Sequence, residues 1–122
     1  MNTRQSLGRW GESLAADYLC SLGYSILERN VHTPYGEIDL IARLEQPQTL
    51  VFVEVKTRRS PQFGLPEDAV NLRKQTHLLS AINHYLQQHP EIQGDPRVDV
   101  IAIQRYHADQ PPVITHFENA IS

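Results

Sequence analysis

The sequence predicts an α/β fold, a mixed five-stranded sheet flanked by helices, from three observations. Apolar residues recur three and four apart near the start of the chain and again in its second half. Runs rich in β-branched residues lie between and after those two stretches. One late run is apolar on both faces, as a strand covered on both sides must be.

Each element has its own signals. Over residues 4–22, Leu7, Trp10, Leu14, Ala15, Tyr18 and Leu22 follow the helical period, and Gly23 is a natural stop. Residues 24–29 read as a short strand, Pro34-Tyr35-Gly36 as a turn and residues 37–43 as a second strand. Pro47 breaks the pattern over residues 44–48, a loop of moderate length. Residues 49–57 form a third strand that pairs with the second as a hairpin, and Arg58-Arg59-Ser60-Pro61 ends it. Pro66, followed by Glu67 and Asp68, marks the start of a helix running to about residue 88, because proline fits the first turn and acids favour the positive end of the dipole. Val70, Leu72, Leu79, Ile82 and Leu86 are its expected sheet-facing positions, and Pro90 stops it. Residues 98–104 are a central fourth strand and residues 113–118 a shorter fifth. With no linker, repeat or low-complexity tract, residues 1–122 are expected to form one domain.

Composition narrows the functional classes. No apolar run exceeds four residues, so neither a bilayer span nor a signal peptide is expected, and the expected location is the cytoplasm. The lone Cys20 suits a reducing compartment and speaks against disulfide or thiolate-metal chemistry. Eleven basic residues against 14 acidic ones give a formal charge of −3, so the molecule as a whole does not attract phosphate backbones. The excess acid lies in residues 61–122, which hold 4 basic and 7 acidic side chains. The 6 histidines lack metal-ligand spacing and read as surface residues, and Asp99 reads as the intra-strand partner of Arg97.

The informative stretches are Gly36-Glu37-Ile38-Asp39-Leu40-Ile41-Ala42 and Val51-Phe52-Val53-Glu54-Val55-Lys56. Side chains alternate across a strand, so Glu54 and Lys56 share a face with Leu50 and Phe52. If the hairpin pairs Arg43 with Leu50, Asp39 falls opposite Glu54. Facing carboxylates on neighbouring strands repel by roughly 0.2–1 kcal/mol in a solvated sheet, and by more when desolvated. A divalent cation would compensate that repulsion. The bland alternative has Glu37 and Asp39 as solvated strand residues and Glu54 and Lys56 as neighbours neutralising each other. Against it, both faces of the third strand are apolar around the charged pair. Glu12 lies at the edge of the first helix's apolar stripe. Gly8 and Gly11 each cost about 1 kcal/mol of helix stability against alanine, which suggests close packing or a close-approaching ligand at that turn.

Taken together, Gly8-Arg9-Trp10-Gly11-Glu12, Ala15-Ala16-Asp17-Tyr18-Leu19, the two strand motifs with Thr57 and Arg58, Lys74, and Arg97-Val98-Asp99-Val100-Ile101 resemble the YraN-type uncharacterised bacterial family. That family is similar to Holliday-junction resolvases and to the PD-(D/E)xK nucleases of restriction-endonuclease-like fold. The resemblance implies Asp39 and Glu54 as the metal-ligand pair, with the Val55 carbonyl as a further ligand. It implies Lys56 as the residue that orients or activates water, and Glu12 as the helix carboxylate completing the catalytic set. Ile38 stands where the superfamily name has proline, and His32 where arginine is expected.

Two functions of different class follow. The first is a Mg2+- or Mn2+-dependent endonuclease that hydrolyses phosphodiesters in DNA, branched or junction DNA included, with Arg9, Arg58, Arg59 and Lys74 as backbone contacts and Tyr35 and Phe63 as loop aromatics that could stack on bases. The second is a non-catalytic module that keeps the nuclease fold and binds nucleic acid or another partner. A symmetric homodimer would suit a duplex or junction in either case. With few spare basic residues, nucleic-acid binding is expected to be weak, salt-sensitive and metal-dependent.

Overall fold

The computed structural model describes residues 3–58, 72–92, 94–105 and 107–120. Helix α1 spans Thr3–Ser21. It ends as Gly23 predicts, with Gly23 at φ +97°, its N–H donating to Cys20 O and the N–H of Tyr24 to Leu19 O, both at 3.0 Å. These two bonds close a Schellman motif, whose left-handed position glycine fills without a Cβ penalty. Among the described residues, five strands follow with one helix among them: β1 (Ser25–Thr33), β2 (Gly36–Glu45), β3 (Gln48–Arg58), α2 (Leu72–Gln88), β4 (Asp95–Gln104) and β5 (Val113–Phe117).

The strands lie in the order β1-β2-β3-β4-β5, antiparallel except for the parallel pair β3 and β4. A parallel pair needs a crossover, and the chain between them contains α2. The mixed α/β architecture expected from the sequence is therefore observed, with β3 in the middle of the sheet and β4 internal beside it. One face of the sheet packs α1, where Ala15, Ala16 and Leu19 meet Leu40, Val51, Val53, Ile101 and Ile103. The other packs α2, where Leu78, Ala81, Ile82 and Tyr85 meet Ile41, Leu50, Phe52 and Val98. Strand β3 thus sends alternate side chains into two cores, which is why it is apolar throughout its first half.

Several boundaries differ from expectation for identifiable reasons. β1 continues to Thr33 because its later residues pair with β2 as far as Thr33 opposite Gly36. The expected loop over 44–48 is a tight turn, with Pro47 at its tip and Thr49 Oγ1 donating to Pro47 O at 2.8 Å. In α2 the buried stripe is Leu78, Ala81, Ile82 and Tyr85, anchored by an edge contact between Tyr85 and Phe52 at 5.9 Å. Leu72 and Leu79 instead face outward, 78% and 41% exposed, since adjacent Leu78 and Leu79 cannot both lie on one narrow stripe. Pro66 and Val70 lie outside the described residues.

The histidines are not all at the surface. On the α1 side of β4, fully buried Asp99 accepts from Arg97 Nε and Nη2, both at 2.9 Å, and from Asn119 N at 3.0 Å, and lies 2.7 Å from His116 Nε2. Tyr24 Oη accepts from Arg97 Nη2 at 2.6 Å, and Tyr18 Oη lies 3.1 Å from His116 Nδ1. The intra-strand Arg97–Asp99 pair expected from spacing is present, and His116 from β5 completes it. A buried carboxylate requires such partners. Among the described residues, no helix is long and apolar enough to cross a membrane.

Candidate functional site

Strands β2 and β3 pair from Glu45 opposite Gln48 to Leu40 opposite Val53, with Arg43 opposite Leu50 as anticipated. One step further in that register sets Asp39 against Glu54, and there the ladder stops. The alternation of β2 slips at this level: Ile38 and Ile41, three apart, both join the α2 core, while Leu40 and Ala42 join the α1 core. On β1, Asn30 occupies the position between the pairs Arg29–Leu40 and Val31–Ile38, with φ of +51°. Asparagine tolerates that left-handed conformation better than most residues. Both strands thus leave regular geometry together, and Asp39 uses the irregularity to reach β3, its Oδ2 accepting the Val55 N–H at 2.8 Å. The N–H and C=O of one strand residue leave on the same edge, so the Val55 carbonyl also heads toward the side that β2 has vacated.

Four elements contribute to the cluster around Asp39. From β3, Lys56 Nζ sits 3.0 Å from Glu54 Oε1, with the two side chains only 10% and 18% exposed. From α1, Glu12 approaches because Gly11 lets the helix close on the sheet: a Cβ there would lie 2.1 Å from Thr57 Oγ1. Gly8 has open space around it, so the close approach expected of both glycines belongs to Gly11 alone. From β1, Asn30 donates to both Glu12 carboxylate oxygens at 2.9 and 3.3 Å, with its amide turned so that nitrogen meets the acid. From α2, Lys74 lines a cavity with Glu54 and Glu37 and lies near enough to Lys56 to feel its charge.

The electrostatics follow from this crowding. Burial, then the charges of Glu54 and Glu12, push the Asp39 carboxyl up to about 8 against the opposing pull of the Val55 N–H and Lys56. Burial likewise raises Glu12, aided by Glu37 and Glu54 and opposed by the Asn30 amide. The neighbouring Lys56, then burial, lower Lys74. The site is thus a partly desolvated excess of acidic groups, whose mutual repulsion disfavours their ionisation, with one internal ion pair. Among the described residues no three His, Cys, Asp or Glu side chains form a ready-made metal nest. A cation here would draw on Asp39, Glu54, the Val55 carbonyl and water, the hard-oxygen set that suits Mg2+, which retains several waters.

The remaining expected residues divide. Lys74 joins the cluster, and Tyr35 is exposed on the β1–β2 turn beside the same cavity. Arg58 lies at the end of β3, with Nη1 donating to Thr57 O at 3.1 Å, and Arg9 is exposed on α1. His32 pairs across the strands with Glu37 at 3.2 Å, on an exposed edge. Arg59 and Phe63 lie outside the described residues. Sequence reasoning missed Asn30, although an asparagine inside a strand pattern is itself a sign of an irregular backbone position. It also missed His77, which lines the cavity.

Fold and side chains together define a single-sheet α/β protein with an acid–lysine cluster where its central hairpin opens. The chain belongs to the uncharacterised protein family UPF0102, whose profile matches residues 11–103. It is 47% identical over 117 residues to a UPF0102 protein of Syntrophotalea carbinolica, covering 96% of this chain and 92% of that one. It is 48% identical over 116 residues to one of Syntrophomonas wolfei, covering 95% and 97%, and 45% identical over 120 residues to one of Geotalea daltonii, covering 98% and 91%.

Proposed function

We propose that this protein is a divalent-metal-dependent endonuclease acting on DNA, branched DNA included. The observation that carries the reading is the convergence of half-buried Asp39 with Glu54, Lys56 and Glu12 at the point where β2 parts from β3. The PD-(D/E)xK nuclease resemblance assigns catalysis to the same four residues. A divalent cation supplies charge neutralisation at the scissile phosphate and a more acidic water. Asp39 and Glu54, with the Val55 carbonyl, would hold that cation. Lys56, fixed by its ion pair with Glu54, presents an ammonium to the charge that develops on the phosphate and orients the attacking water. Glu12, held by Asn30, accepts a proton or a hydrogen bond from water on the α1 side. In the test, purified protein with Mg2+ cuts a branched DNA substrate and Glu54→Ala abolishes cutting. Equal cutting by wild type and mutant would overturn the mechanism.

A second reading, a nucleic-acid- or partner-binding module without catalysis, is favoured by one observation. Lys56 already neutralises Glu54. Calorimetric titration with Mn2+ separates the two: saturable binding lost in Asp39→Asn supports the enzyme, and no binding supports the module.

A further inference from the structure

We infer that the outer stripe of α2, divided by Tyr35, is a binding site for an unpaired nucleic-acid strand, with Tyr35 stacking between or against successive bases. This rests in part on the reading that the adjoining cluster handles nucleic acid, and it adds the state of the strand. Two cavities, of about 160 Å³ and about 200 Å³, flank the β1–β2 turn, and Tyr35 lines both. The first opens onto Glu54, with Lys74 and His77 on its α2 side. The second is walled by Ser80, Asn83, His84 and Gln87, a set rich in hydrogen-bonding groups and free of carboxylates. His77, Ser80, His84 and Gln87 recur at helical spacing, so both cavities lie along one stripe of α2.

Tyr35 is held for the task. Thr33 Oγ1 accepts from the Tyr35 N–H at 3.1 Å and donates to Gly36 O at 2.7 Å, which pins the turn. The ring remains 53% exposed while meeting His84 edge-on at 6.1 Å between centroids. An exposed aromatic held between two polar hollows offers a face to any base, and this is how sequence-tolerant single-strand sites work. In a stacked duplex the base faces are covered, so these hollows suit unpaired nucleotides. Charge agrees. Helix α2 has no Asp or Glu between Leu72 and Gln88, yet carries Arg73, Lys74, His77 and His84, in a chain of net charge −3. Of the two cavities, only the first is bordered by carboxylates, those of Glu37 and Glu54, while Glu28 and Glu91 act on Tyr85 on the sheet-facing side of α2.

Fluorescence anisotropy in EDTA at low salt, with labelled oligothymidylate, oligouridylate and a duplex of equal length, isolates the stacking contribution from the metal-dependent one expected at the acidic cluster and excludes hydrolysis. Wild type should bind the single strands more tightly than the duplex, and the tighter of the two names the preferred sugar. Tyr35→Ala should weaken binding between about 5-fold and about 150-fold, the range a lost base–aromatic stack produces. Tyr35→Trp should retain it, and Tyr35→Leu should not. Asn83→Ala should weaken binding without altering the melting temperature. No saturable binding, equal affinity of wild type and Tyr35→Ala, a leucine as good as tryptophan, or a preference for duplex would each overturn the inference. A protein that binds the strands but cuts nothing with Mg2+ refutes the nuclease alone. One that cuts while Tyr35→Ala binds like wild type refutes the stacking site alone.

Discussion

The Asp39 carboxylate takes the hydrogen bond from Val55 N–H that a continued β2 ladder would otherwise have had to supply, at 2.8 Å. One side chain therefore both closes a gap in the sheet and carries a charge that its surroundings disfavour. Asp39→Asn preserves the acceptor and removes the charge. In EDTA at pH 8 the variant should be more stable than wild type, by about 1–3 kcal/mol on the scale of a relieved buried charge. In Mn2+ the order should narrow or reverse, because wild type gains ligand stabilisation that the variant lacks. Thermal melts with and without metal measure both, and a lower melting temperature for the variant in EDTA would refute the crowding.

Lys56 and Glu54 stand in the same relation to each other. Lys56→Met keeps the stem that packs against the sheet and leaves Glu54 facing Asp39 without its ammonium. Breaking a pair this poorly solvated should cost about 1–3 kcal/mol, part of which Mg2+ recovers. Urea titration of the variant at several Mg2+ concentrations reads the recovery. A variant as stable as wild type without metal would show that the pair contributes little.

The two glycines of α1 should respond in opposite directions. Gly8→Ala adds a Cβ in open space and gains helix propensity, up to about 1 kcal/mol. Gly11→Ala drives a Cβ to within 2.1 Å of Thr57 Oγ1, and the overpacking should cost about 1–3 kcal/mol in spite of the propensity gain. Adding Thr57→Ala to Gly11→Ala removes the colliding oxygen and should restore much of the loss. Chemical denaturation of wild type, Gly11→Ala, Thr57→Ala and the double variant closes the cycle.

Acid should unfold the protein through Asp99. Burial pushes this carboxyl up, but His116, Arg97 and the Asn119 N–H outweigh it and hold the pKa below its ordinary value. A depressed folded pKa means that the unfolded chain binds the proton first. The stabilisation is thus complete above the ordinary carboxylate pKa of about 4, and is lost as pH falls through the lower folded value. Asp99→Asn should cost about 3–5 kcal/mol at pH 7, as expected for breaking a buried ion pair, and the gap to wild type should shrink below pH 4. Urea unfolding at pH 7, 4 and 3 measures it, and a constant gap would exclude the linkage.

Much of the cluster was legible because it depends on local rules. Once Arg43 faces Leu50, strand alternation brings Asp39 level with Glu54 and puts Lys56 beside Glu54, and the helical period places Glu12 at the rim of α1. The slip in β2 was not legible, because it coincides with a left-handed residue on the neighbouring strand, Asn30 of β1, opposite Asp39. The buried face of α2 was legible in part: Ile82 and Leu86 pack on the sheet as expected, but Leu78 is buried instead of Leu79, since the two are equivalent in hydropathy. Spacing alone marks His116 as a surface residue, because its partner, Asp99, is 17 positions away and meets it only through the β4–β5 pairing.

The parallel pairing of β3 with β4 has a consequence in time as well as in space. Glu12, Asn30, Asp39, Glu54 and Lys56 all precede Arg58, on elements joined by short turns, whereas β4 must wait for its long crossover to close. Local contacts form before distant ones. The acidic cluster is therefore expected to assemble early, on an incomplete sheet, before α2 brings Lys74 to it. Pulse-labelling hydrogen exchange during refolding should find β2 and β3 amides protected ahead of those in β4. If so, the last stage of folding is also the stage that closes the cavity beside Glu54.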